Sequence, residues 1–201
     1  MSGVGKTFYS KRLEKEGFDY YGCDDLIEQK LEPELKALGY SGINDVGRWM
    51  GQPFEERYKE NSEKYLHFEK EVISDIVSKI QKSDLKINLV IDTTGSVIYL
   101  DSDLLMHLKE NSFVLYLDTP AKAKEEMQKR YFEDPKPVYW GSSFQKMPSE
   151  DNVEALKRCY PLLLKERERK YKLLADNVLT YNQRGEEDFC LADFLKKNNR
   201  Q

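Results

Sequence analysis

With 201 residues, the chain is long enough for one sizeable domain, or for a domain carrying a small lid. An apolar fraction of 39% and a charged fraction of 34% suit a globular protein with a well-solvated surface, and a net charge of −4 argues against a nucleic-acid coat. No apolar run approaches the roughly 18 residues that a membrane span needs, and no secretory signal pattern is present.

The chain opens on Ser2-Gly3-Val4-Gly5-Lys6-Thr7, the closing positions of a phosphate-binding loop of the form G-x-x-x-x-G-K-[ST]. In such a loop the backbone N–H groups of Gly3, Val4, Gly5, Lys6, Thr7 and Phe8 turn toward phosphate oxygens. The Lys6 ammonium meets the β- and γ-phosphates, and the Thr7 hydroxyl coordinates Mg²⁺. The spacing predicts a helix over 6–16 whose positive end faces the anion. The first Gly of the motif would fall just before Met1, and the apolar strand that normally feeds the loop is absent. This leads to the expectation that a first strand is missing from the chain, at a cost in stability and nucleotide affinity relative to an extended version.

Downstream, short apolar runs alternate with helical patterns, which predicts a parallel sheet flanked by helices in the three-layer α/β manner. Residues 18–22 form a strand candidate ending at Cys23-Asp24-Asp25, where Asp24 is suited to cap a helix. Residues 54–82 are long, charged and helical in spacing, with Tyr65, Phe68, Val72, Ile76 and Ile80 on one face. Residues 86–91 read as a buried strand ending in Asp92-Thr93-Thr94-Gly95-Ser96. A helix follows over 102–109, a strand over 113–117 ending in Asp118, and a helix over 121–131. Residues 133–150 break this rhythm with Pro135, Pro137, Gly141 and Pro148, and their length and flanks predict a lid. Residues 152–175 are again helical, 178–181 a last strand, and 188–197 a closing helix.

Ligands of open parallel sheets bind at the carboxyl ends of the strands, so Asp24, Asp92 and Asp118 would share one crevice with the phosphate loop. Cys23, Cys159 and Cys190 are odd in number and lack metal-ligand spacing, which fits packing residues in a reducing cytoplasm. His67 and His107 are isolated.

In order and motif the chain resembles the shikimate kinases, small P-loop kinases of the nucleoside-monophosphate-kinase fold, from Met1 to about Tyr181. The resemblance implies an ATP- and Mg²⁺-dependent kinase of a small hydroxylated acceptor. Asp24 matches the second Asp of the family's D-x-D, the substrate-binding residue and base, while Gly22 replaces the first. Arg57 is the best match to an Arg that clamps a substrate carboxylate, with the register off by about one residue. Gly95 is the one glycine kept of the family's Gly-Gly-Gly, the other two positions being Thr93 and Thr94. Arg167, four residues before Tyr171, matches the second substrate-binding Arg, and Arg130 stands where a nucleotide-contacting or lid Arg is expected. Asp92 resembles the metal or base carboxylate of other P-loop kinases, so Lys6, Asp24, Asp92 and Arg130 form the expected catalytic set and Thr7 and Asp92 the metal ligands.

Blander readings stand beside these. Asp24 also fits a simple helix cap, Arg57 a solvated charged face, and Arg167 one member of a run of i,i+4 ion pairs. Trp140 suits either lid packing or contact with a flat substrate. A nucleoside or nucleotide kinase, favoured by the aromatic lid and the Thr93-Thr94 change, and a non-catalytic nucleotide-binding homologue remain as alternatives. A single domain over 1–201, a small-molecule acceptor, no nucleic-acid or membrane partner, and a cytoplasmic monomer or weak homodimer complete the expectations.

Overall fold

Each of the four strands is short and runs straight into the helix or turn that carries polar groups, as the sequence pattern anticipates. The protein is described here as a computed structural model covering residues 3–82, 88–133, 136–185 and 189–198. Ser2, residues 86 and 87 of the third predicted segment, Pro135 and Asp188 lie outside the described residues. Helix α1 (Lys6–Lys15) leads to β1 (Asp19–Gly22), α2 (Cys23–Ala37), α3 (Ile43–Met50) and the long α4 (Glu56–Lys82). Then come β2 (Leu89–Asp92), a short 3₁₀ turn, α5 (Ser102–Glu110), β3 (Leu115–Leu117) and α6 (Ala121–Glu133). The chain continues through α7 (Asn152–Leu174), β4 (Asn177–Leu179), α8 (Tyr181–Arg184) and α9 (Leu191–Asn198).

All described strand pairing is parallel: β1 pairs with β2, with Gly22 opposite Asp92, and β3 pairs with β4. Instead of one continuous sheet, the strands form two separate pairs. Val90 of β2 packs in the same apolar cluster as Leu115 and Leu117 of β3 and Leu179 of β4. Among the described residues no strand bridges the two pairs.

Helix α4 forms because its apolar residues recur at helical spacing, and it buries Tyr65, Val72, Ile73, Ile76 and Val77 in the main core. Against that stripe pack Ile27, Leu31 and Leu35 of α2, and Val46, Trp49 and Met50 of α3. The same core contains Leu156, Cys159, Tyr160 and Leu163 of α7. Helix α7 starts at a capping box in which Asp151 accepts from the Glu154 N–H and Glu154 from the Asp151 N–H. The smaller cluster, built on Leu13, Leu117, Leu179 and Leu191, lies against α1 and α9. Val4 touches both clusters.

Two local expectations are corrected. The last strand stops at Leu179 rather than Tyr181, because Thr180 caps α8 in a second capping box with Gln183. Helix α3 has no counterpart in the sequence reading, since glycines at 42, 47 and 51 mask its apolar face.

Candidate active site

Helix α1 begins where Gly5, at φ 95°, turns the chain with a left-handed backbone that a side chain would strain. The first intrahelical bond runs from the Tyr9 N–H to the Gly5 carbonyl. The N–H groups of Thr7 and Phe8 therefore lack helical partners and suit an anion. The ring of Phe8 itself is exposed and lies edge-on to Tyr9, so this residue's contribution is its backbone.

Asp92, buried at the end of β2, faces this helix start. The Thr7 hydroxyl donates to Asp92 Oδ2 at 2.6 Å, and Lys6 Nζ stands 4.0 Å from Asp92 Oδ1. Asp92 Oδ1 is buried without a hydrogen-bond donor. An orphaned carboxylate oxygen beside a Thr hydroxyl and phosphate-binding N–H groups is the donor set that fits Mg²⁺ held mainly by nucleotide phosphates. No group of three or more Cys, His, Asp or Glu side chains among the described residues forms a cage for an ion.

Asp24 sits in the first turn of α2, one residue inside the helix, whose N-cap is Gly22. It is therefore not the cap. Tyr65 of α4 donates to Asp24 Oδ1 at 3.1 Å instead. Burial pushes the Asp24 carboxyl above the usual range, opposed by the Lys6 charge and by the Tyr65 bond. A Cβ at Gly22 would meet the Tyr20 hydroxyl at 2.5 Å and Asp25 Oδ2 at 2.8 Å, so the departure from D-x-D goes with filled space.

On the other side of the loop after β2, Arg167 of α7 is buried. Its Nη2 donates to the Tyr139 carbonyl at 2.8 Å, and its Nε has no partner. A Cβ at Gly95 would stand 2.9 Å from Arg167 Nη1, which explains why glycine is kept at this one position. Arg57 is placed differently from the expectation. Its guanidinium is half exposed and pairs with Glu55 at 2.8 Å, and no described contact brings it to Asp24 or Arg167.

Beside the phosphate loop opens a cavity of about 410 Å³ lined by Gly3, Val4, Thr119, Arg130, Tyr181 and Arg184, among others. Arg130 of α6 thus stands beside the loop start, with Nη1 3.9 Å from where a Gly3 Cβ would be. Arg184 donates to the Val4 carbonyl at 2.7 Å and to the Asp118 carbonyl, tying the phosphate loop to the end of β3. Arg184, Thr119 and Tyr181 escaped the sequence reading. The available signal was Asp118 ending a strand and Gln183-Arg184-Gly185 following the next one.

With this geometry in view, the solved structures supply a match. The chain superposes on a shikimate kinase from Acinetobacter baumannii, in complex with shikimate, with a TM-score of 0.57 and 23% identity, over 97% of this chain and 84% of that one. The fold is shikimate kinase-like. Neither the protein-family models nor the curated protein sequences give a match.

Residues 136–150, the greater part of the expected lid, have no regular secondary structure but are packed down. Trp140 is 1% exposed between Tyr131, Phe144 and Tyr160. Its backbone N–H donates to the Tyr58 hydroxyl at 2.7 Å, and that hydroxyl donates to the Val138 carbonyl. Ser143 donates to Glu166 at 2.5 Å.

Proposed function

We propose that the protein is an ATP-dependent kinase that transfers a phosphoryl group to a hydroxyl of a small metabolite. The observation that carries this reading is the convergence of Lys6, Thr7 and an orphaned Asp92 oxygen at the start of α1, beside a cavity walled by Arg130 and Arg184. The nucleotide's base and ribose would occupy that cavity, and its phosphates would lie over the N–H groups of residues 3–8.

Phosphoryl transfer depends on positioning and charge neutralisation more than on covalent work by the protein. A bound Mg²⁺ would supply positive charge against the charge that develops on the phosphate oxygens. The Thr7 hydroxyl and Asp92 would hold it. Lys6 places its ammonium on the same oxygens. Asp24 accepts the proton that the acceptor hydroxyl loses as its oxygen bonds to phosphorus, and the raised affinity of this carboxyl for a proton suits it to that step. Arg130 meets the transferring group from the cavity side. Arg167, a buried guanidinium with an unused N–H, receives an anionic group of the acceptor, and Gly95 lets that acceptor lie against backbone.

Shikimate is one candidate acceptor, supported by the structural likeness. The Trp140 ring is enclosed on its faces and edges, so it offers no stacking surface to a nucleoside acceptor. The reading carries with it a soluble cytoplasmic protein, monomeric or weakly dimeric, without a nucleic-acid partner. No described helix is long and apolar enough to cross a membrane.

The test is ADP release from Mg-ATP with shikimate, gluconate and nucleoside monophosphates as acceptors. Stimulation by one of them is expected and names the acceptor class. Binding of ATP without stimulation by any acceptor would turn the reading toward a nucleotide-binding protein without transfer activity.

A further inference from the structure

Glu69 is the least expected residue in the core. It is fully buried in the apolar stripe of α4, among Tyr65, Val72 and Ile73, where a carboxylate is costly to desolvate. No cation pairs with it among the described residues. Both of its oxygens are instead taken by hydroxyls of one loop: Thr94 Oγ1 donates to Oε1, and Ser96 Oγ donates to Oε2 at 2.5 Å. The Ser96 N–H closes the ring by donating to Thr94 Oγ1 at 3.0 Å. Thr94 and Ser96 are each 3% exposed, so water does not compete for these bonds.

The loop held in this way is the one between the two halves of the candidate site. At its start stands Asp92, with its oxygens on Thr7 and near Lys6. In its middle the Gly95 carbonyl accepts from the Tyr171 hydroxyl at 2.6 Å, while the Gly95 Cα abuts Arg167. The groups facing Glu69 are Cys23 and Asp24 of α2, Tyr65 of its own helix, and Arg167 and Tyr171 of α7. An apolar side chain would fill this part of the core at lower cost, so packing alone does not account for a carboxylate here.

We propose that Glu69 is the positioning residue of loop 92–96, holding Asp92 at the phosphate site and Gly95 at the acceptor site without touching either reactant. The inference rests on the nucleotide-site reading given above and assigns a role to a residue outside that site. Thr94 and Ser96 are then the hydroxyls through which α4 sets the loop, and Thr94, at one of the two glycine positions of the resemblance, is part of that device rather than a reshaped pocket wall.

The experiment is calorimetric binding of ADP with and without Mg²⁺ to the wild type, Thr94→Val and Thr94→Ser. Partners that orient a metal ligand are worth about 10–100-fold in metal affinity, so Thr94→Val should lose about tenfold of the Mg²⁺-dependent gain. Its metal-free ADP affinity should stay within about twofold of wild type, which also certifies a folded phosphate loop. Thr94→Ser, which restores the hydroxyl, should recover the gain. Amide exchange at Ser96 should be faster in Thr94→Val than in Thr94→Ser. If Thr94→Val does not fold, Ser96→Ala removes the other donor and is read in the same way. A variant that binds ADP and keeps the full Mg²⁺ gain overturns the inference while leaving the nucleotide reading intact. A wild type that binds no ADP at all overturns the nucleotide reading, and the inference with it.

Discussion

Glu69 carries a cost that depends on pH. Burial pushes its carboxyl from an ordinary 4.5 up to about 7, with the Ser96 and Thr94 hydroxyls opposing that rise. Its pKa is higher folded than unfolded, so the folded state holds a proton that the unfolded state has already released. Stability from this group is fully present below pH 4.5 and is lost as pH rises to 7, by an amount on the order of 3 kcal/mol. A Glu69→Gln variant lacks this titration. In urea unfolding, its stability relative to wild type should rise between pH 4.5 and pH 7.5, and a pH-independent difference would show that Glu69 does not titrate in this range.

At the same scale, Lys6, Thr7 and Asp92 were legible, because a phosphate-loop spacing and an Asp closing an apolar strand each have few purely structural explanations. Glu69 was not. Followed by Lys70 and Glu71 in a charged helix, it reads as part of a solvated face, and only packing shows that it lies on the buried side. Arg57 read as a clamp because its sequence neighbourhood matched one. A local partner, Glu55, takes its charge instead.

The element most changed by the structure is the segment before α7. A Pro-rich polar stretch looks mobile in sequence, yet Trp140, the Tyr58 hydroxyl and Glu166 fix it to α4 and α7. Replacing a buried Trp with Ala typically costs about 3–5 kcal/mol, and Trp140→Ala should fall in that range by urea unfolding. A cost below about 1 kcal/mol would instead mark Trp140 as a surface cover, since exposed substitutions stay near that level. Helices α1, α4, α5, α6 and α7 were legible to within a residue or two because their helical spacing is strong, while α2 had no predicted bounds and the short α8 no prediction. Helix α3 was not, because three glycines interrupt the pattern that would reveal it.

For the molecule as a whole, the alternation of strands and helices gave away the parallel α/β class, but not the division of the strands into two pairs. Strand pairing joins residues far apart in sequence, and no local pattern records which edges meet. Among the described residues each strand pairs along one edge only. An N-terminal extension of about five β-branched residues, the usual strand length, should pair there and raise both the melting temperature and the ADP affinity. Equal values with and without the extension would show that the gap does not accept a strand.

The division also changes what a nucleotide does mechanically. Asp92 closes one strand pair, Thr119 and Arg184 follow the two strands of the other, and Val4 is a side chain packed in both apolar clusters. On the proposed function, a nucleotide held by Asp92 at one end and by Thr119 and Arg184 at the other would link the two strand pairs non-covalently. Such a ligand would add to the contacts that already join the pairs through the shared core, and its occupancy would raise the cooperativity of unfolding.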